Sequence, residues 1–159
     1  MSHLQLLPRP TWLPPEVWPH DAHALATPVG RIAVTDVGEG PVLLLVHTGM
    51  WSYVWRDLID RLAPAYRCVT LDAPGTGRSE RIDGTRISLA ASAIAVGAVI
   101  EALDLRDVTL VAHDLGGPAG LAAAATHAPA GGVPRRLRSP RPRGRPPLLR
   151  RRPPRGPPL

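Results

Sequence analysis

The segment Val108-Thr-Leu-Val-Ala-His-Asp-Leu-Gly-Gly-Pro-Ala-Gly120 changes character twice within a few residues. It opens as an apolar, β-branched run and turns into small residues and glycine. It then enters Leu121-Ala-Ala-Ala-Ala125, a strong helix former. The order this predicts is strand, sharp turn, helix. The apex is Ala112-His113-Asp114-Leu115-Gly116, with small residues on both flanks. Bulky flanking side chains would collide as the chain reverses. An apex side chain is then held out above the sheet edge, and the N–H of the next residue points at the same spot. A carboxylate in that place can attack carbon and form an ester with the protein. Asp is also a common helix cap. At this point Asp114 is either a nucleophile or the cap of the helix that follows.

Working outward, the chain has 159 residues, enough for one domain with a substantial core. Its formal charge of +6 is unevenly spread. Residues 131–159 hold ten Arg and no acid, whereas residues 1–130 hold nine Arg against all 13 acids. A mildly acidic body is joined to an intensely basic end, which marks two kinds of segment. The single cysteine, Cys68, excludes an internal disulfide framework and fits a reducing compartment. The first ten residues lack the apolar core of a secretory signal. No apolar run approaches the roughly 20 residues that span a bilayer. The expectation is a cytoplasmic protein without membrane contact.

Residues 1–26, rich in Pro and Trp, read as an irregular arm whose tryptophans lie on the body. Thr27 to Gly40 reads as a hairpin or its second half, with Ile32 and Val34 alternating and Gly38 and Gly40 closing the turn. Pro41-Val-Leu-Leu-Leu-Val-His47 is too short and too uniformly apolar for anything but a strand buried on both faces. A helix over Trp51–Leu62 follows, with Val54, Leu58, Ile59 and Leu62 on one stripe and Arg56, Asp57, Asp60 and Arg61 opposite. Tyr66-Arg-Cys-Val-Thr-Leu-Asp72 is the next strand. It runs into Ala73-Pro-Gly-Thr-Gly-Arg-Ser79, where Gly75 and Gly77 allow turns closed to other residues. An Ala-rich helix spans Ser88–Leu103 with Ser88 as cap, and the elbow helix runs to about His127. Buried strands alternating with helices predict an α/β fold, a mostly parallel sheet with helices on both faces. Ligands in such sheets bind beyond the carboxyl ends of the strands. His47, Asp72 and Asp114 all stand there.

These residues resemble the α/β-hydrolase superfamily. Its marks fall in order: His47 after a buried strand, Trp51-Ser-Tyr-Val-Trp55-Arg, Asp72-x-x-Gly75-x-Gly77-x-Ser79, and the elbow with Ala112 and Gly116. The His113-Asp114-x-Gly-Gly form looks most like the Asp-nucleophile branch, the haloalkane dehalogenases and epoxide hydrolases. The resemblance covers roughly residues 20–130, the N-terminal half of the fold, with the partial core at 27–130. It implies a small-molecule substrate, no cofactor, and a covalent ester on Asp114. The N–H groups of Leu115 and Thr48 would form the oxyanion hole, and a His oriented by an acid would activate water for the second step. His47, Asp72, Gly75, Gly77, Ser79, His113 and Gly116 carry the motifs.

The sequence also departs from that pattern. The family loop reads His-Gly-x-Pro; here His47-Thr-Gly-Met is about one residue shorter and has no Pro. Thr48 cannot take glycine's positive φ cheaply, which predicts a misshapen oxyanion loop. Leu115 follows Asp114 where dehalogenases carry Trp, and the chain has no Asn, so their usual halide clamp is missing. The only tyrosines, Tyr53 and Tyr66, lie in the core half, away from a cap domain.

After residue 130 the family would continue with a strand, a cap, the triad acid and a late His. Residues 131–159 hold nine Pro and ten Arg instead, a composition that predicts disorder. At about 1.5 Å per residue, the elbow helix carries His127 roughly 20 Å from Asp114, and no other His is well placed as a base. The chain is therefore expected to be a truncated hydrolase of doubtful activity. The total lack of Lys, Asn and Phe fits a GC-rich gene, and a frame shift near codon 130 would spell such a tail. The alternative is a non-enzymatic protein that binds nucleic acid or acidic partners through the tail. No aromatic residue is interleaved there for base stacking, which disfavours nucleic acid. Nothing in the sequence sets an oligomeric state.

Overall fold

The computed structural model describes residues 4–80 and 88–126. Within them the chain runs β1 (Gln5–Leu6), β2 (His23–Thr27), β3 (Gly30–Val37), β4 (Val42–His47), a 3₁₀ turn (Ser52–Trp55), α1 (Arg56–Leu62), β5 (Arg67–Leu71), α2 (Leu89–Ala102), β6 (Thr109–His113) and α3 (Gly116–Thr126). The strands form one sheet in the order β1-β2-β3-β5-β4-β6. The sheet is mixed. Its parallel part is confined to β5, β4 and β6, while β1, β2, β3 and β5 pair antiparallel. The expected α/β core is present, and the antiparallel half comes from the hairpin and from the chain before it.

β4 explains why a uniformly apolar run is needed at the centre. Leu44 and Val46 face α2 and α3, among Val96, Val99 and Ala123. Leu43 and Leu45 face α1 and the N-terminal arm, among Ile59, Trp18 and Leu13. Each residue of the strand therefore finds an apolar layer. α2 begins as the sequence predicts: the Ser88 side chain accepts a hydrogen bond from the Ala91 N–H at 3.1 Å. Among the described residues β6 is the outermost strand and pairs with β4 alone.

The arm is more ordered than an irregular segment. It supplies β1 and most of β2, and the Leu7 N–H donates to the Ala22 carbonyl at 2.8 Å. Trp18 is fully buried, but Trp12 keeps 59% of its surface exposed, its ring edge-on to Trp51 at 5.6 Å. The guanidinium of Arg9 donates to the carbonyls of Trp18 and Pro19, and that of Arg78 to those of Leu7 and Pro8. The helix expected over Trp51–Leu62 is split. Ser52 gives both its N–H and its hydroxyl to Asp72, so the first turn is fixed from outside and winds as 3₁₀ before α1 starts. His127, Arg81 to Ile87 and the whole 131–159 segment lie outside the described residues, and so do the expectations attached to them. No helix among the described residues is long and apolar enough to cross a membrane.

Candidate active site

The parallel register sets His47 of β4 beside His113 of β6. Their rings stack with centroids 5.1 Å apart and an interplanar angle of 29°. His47 is buried and its Nδ1 lies 2.9 Å from the Thr48 carbonyl; His113 is exposed. The next residue on each strand is Thr48 and Asp114. The two strands thus deliver the loop after β4 and the turn after β6 to one end of the sheet.

Asp114 is the apex of the turn, with φ +53° and an exposed side chain. A non-glycine residue in this region is uncommon, although Asp tolerates it better than most. Asp104 and Asp107 share the conformation in an ordinary loop, so φ alone does not mark a site. What distinguishes Asp114 is its surroundings. Only Asp114 and Leu115 separate β6 from α3. Gly116 lies so close to β4 that a Cβ built on it would stand 2.6 Å from the Val46 carbonyl carbon and 3.0 Å from the His47 Cα. The Asp114 carbonyl accepts the first-turn hydrogen bond of Gly117 at 3.1 Å. Among the described residues its carboxylate is not the side-chain cap of α3 that Ser88 is of α2.

The loop after β4 differs from the expectation. Thr48 does not adopt a positive φ; Gly49 does, at +83°, with open space where a Cβ would stand. The glycine conformation has moved one residue along the shortened loop, which relieves the strain expected at Thr48. No turn or loop hydrogen bond among the described residues takes up the N–H of Thr48 or of Leu115. Leu115 itself is 55% exposed beside the apex.

The alpha/beta hydrolase fold model matches residues 41–139, more than half of the sequence. The chain belongs to the alpha/beta hydrolase fold family. It is 34% identical over 115 residues to haloalkane dehalogenase 2 of Mycobacterium tuberculosis, covering 72% of this chain and 40% of that protein. Among solved structures it resembles a haloalkane dehalogenase from Agrobacterium tumefaciens, with 33% identity and a TM-score of 0.58 over 63% of this chain and 34% of that one. It also resembles an epoxide hydrolase from Vigna radiata, with 28% identity and a TM-score of 0.57 over 67% and 35%. The chain spans about two fifths of the length of the curated relatives it matches first.

Within this hydrolase fold, Asp72 is committed to structure. Its Oδ1 accepts from the Ser52 N–H at 2.8 Å and the Ser52 hydroxyl at 2.6 Å, and its Oδ2 from the Arg78 N–H at 2.8 Å. Ser79 donates its hydroxyl to the Asp72 carbonyl at 2.7 Å and accepts from the Ala33 N–H at 2.9 Å. Gly77, at φ +51°, passes so close that a Cβ would stand 2.5 Å from that of Trp51; Gly75 also has a positive φ. The Asp72–Ser79 motif therefore anchors the far end of the loop that begins at Thr48. Ser52 is the residue the sequence reading missed. Its one local signal was a hydroxyl at the head of an amphipathic segment. Among the described residues no group of three His, Cys, Asp or Glu is arranged to hold a metal ion.

Burial holds the Asp72 carboxyl above the ordinary carboxylate range, against the hydrogen bonds from Ser52 and Arg78 and the charge of Arg78 that lower it. A carboxyl raised in the folded state binds more protons folded than unfolded. Its contribution to stability is complete below the unfolded value and is lost as pH rises through the folded value. Urea midpoints of wild type and Asp72→Asn should therefore converge or cross as pH rises from about 4 towards neutrality. A difference between the two that is independent of pH would contradict this assignment.

Proposed function

We propose that this chain carries the nucleophile half of a hydrolase acting on small electrophilic substrates, alkyl halides or epoxides, through an ester on Asp114. The observation that carries the reading is the Asp114 turn: an exposed carboxylate at φ +53°, presented by a helix whose first glycine lies against β4. The names of its relatives, haloalkane dehalogenases and an epoxide hydrolase, agree with that chemistry.

In the first step one Asp114 oxygen forms a bond to the substrate carbon as the carbon–halogen or carbon–oxygen bond breaks, and the bonding pair leaves with the halide or the epoxide oxygen. The N–H groups of Leu115 and Thr48 stabilise the other carboxyl oxygen. One donor of this kind is worth about 3 kcal/mol in acyl-transfer sites. The second step needs water activated at the ester carbonyl. Among the described histidines, His20 on the arm lies 3.3 Å from Asp60, His23 is in β2, and His47 and His113 are stacked on each other. None is held by an acid next to Asp114 as a base should be. On the described residues, the reaction is read as stopping at the ester.

Incubation of the full chain with 1-bromobutane or 1,2-epoxybutane, followed by peptide mass spectrometry, should show one alkyl or hydroxyalkyl group on Asp114 and no steady release of alcohol or diol. Sustained turnover would refute the arrest, and an unmodified Asp114 would refute the nucleophile.

A further inference from the structure

The two edges of the sheet are built differently. On one side β1 is only two residues long. On the other, β6 runs for five residues with no Pro, Lys, Arg, Asp or Glu, and among the described residues it pairs with β4 alone. A free edge is a row of N–H and C=O groups ready to pair with another extended chain. Edges that resist such pairing are short, charged or interrupted. β1 is blunted by its length, whereas β6 has none of these guards. The helix above β6 is bare on the same side. α3 sits on both central strands: a Cβ on Gly116 would meet the Val46 carbonyl carbon at 2.6 Å, and one on Gly120 the Leu110 side chain at 2.8 Å. Ala122 and Thr126 line a cleft shared with α2. At about 100° per residue, Gly117, Leu121 and Ala124 fall on the opposite flank, over the free edge. Leu121 is 55% exposed there, and α3 carries no charged residue.

We propose that β6 and α3 form an interface with a second copy of this chain, the two β6 strands pairing antiparallel about a two-fold axis perpendicular to the sheet. The spacing of the layers favours this occupant. Neighbouring strands lie about 4.8 Å apart, so a helix seated between β4 and β6 has its axis about 2.4 Å inside β6. Continuing the sheet by one strand spacing sets the two α3 axes about 10 Å apart, the distance at which helices pack. Gly117 and Ala124 are small enough for that approach, and Leu121 is the side chain it covers. No like charges meet across the axis, because neither β6 nor α3 carries Lys, Arg, Asp or Glu. The interface is small. A strand about 17 Å long and two layers each about 10 Å thick give roughly 340 Å² per copy, under half of the usual 800 Å². The dimer is therefore weak and concentration-dependent. It is also closed, since each copy uses its β6 edge and β1 is too short to propagate the sheet.

Analytical ultracentrifugation of the full chain from about 5 to 500 μM should show the mass rising from one chain to two and no further. Leu121→Glu places a charge from each copy at the axis and should weaken the dimer by about tenfold or more. Ile94→Glu is the control. Ile94 is 46% exposed on α2 and lines the cleft on the other side of α3, so this change should leave the dimer as it is. Circular dichroism and melting confirm that both variants are folded. Val111→Cys, at the centre of β6, should form a disulfide between copies under mild oxidation, because residues opposite each other in an antiparallel pair have Cα atoms about 4.5–5.5 Å apart. Wild type should not, since its one cysteine, Cys68, is buried. A single-chain mass at every concentration would overturn the proposal, whether the edge is left open or is covered by residues after Thr126. So would growth beyond two chains, or a dimer weakened by Ile94→Glu as much as by Leu121→Glu. A dimer that survives Leu121→Glu and gives no Val111→Cys cross-link would place the interface elsewhere.

Discussion

Replacing Asp114 by Asn should abolish the covalent adduct while leaving the protein folded. The amide oxygen is no substitute for a carboxylate oxygen as a nucleophile, and loss of a covalent nucleophile generally costs an enzyme at least about a thousandfold. Asn is the right replacement because it tolerates the left-handed region almost as well as Asp. The backbone at φ +53° is then kept and only the chemistry changes. Asp114→Ala would confuse the two effects, since alanine is strained there. Asp114→Asn should melt within about 1 kcal/mol of wild type, as expected for an exposed side chain outside special packing. An adduct of wild-type amount in Asp114→Asn, located on another residue, would move the nucleophile elsewhere.

The largest structural effect is expected at Gly116. A methyl group there would run into the Val46 carbonyl and close on the His47 Cα, both backbone and part of the central strand. Neither can rotate away, so the elbow or β4 must shift. The cost should be about 3 kcal/mol or more, at the upper end of overpacking effects. Thermal or urea denaturation reads it directly. The adjacent glycine is the control. A Cβ on Gly117 meets nothing within 4 Å. Gly117→Ala, in the same helix, should be neutral or stabilising by about 0.5–1 kcal/mol through the usual helix preference for alanine. If Gly116→Ala and Gly117→Ala behave alike, the close approach of α3 to β4 is wrong. Because Gly116→Ala displaces Asp114 along with the helix, it should also suppress the adduct in whatever fraction stays folded.

Much of this was legible from local pattern. The apolar run from Val42 to Val46 specified a strand covered on both faces, because no exposed face could tolerate it. Ser88 marked the start of α2, because a hydroxyl there satisfies an otherwise free N–H of the first turn. The small residues around Asp114 encoded a tight reversal, because only they fit one. Each of these signals arises from residues a few positions apart. What the tertiary structure decided came from residues far apart in sequence. The shortened loop could shift its positive φ from Thr48 to Gly49 because β4 ends against β6 and the loop is tied at its far end. Ser52 acquired its role only when β5 brought Asp72 beneath it, twenty positions away. The arm gained strands because β3 offered an edge for β2 to pair with. His47 and His113 became neighbours through strand register alone. Burial then decided that the Asp72 carboxyl belongs to the scaffold, while the one on Asp114 stays exposed.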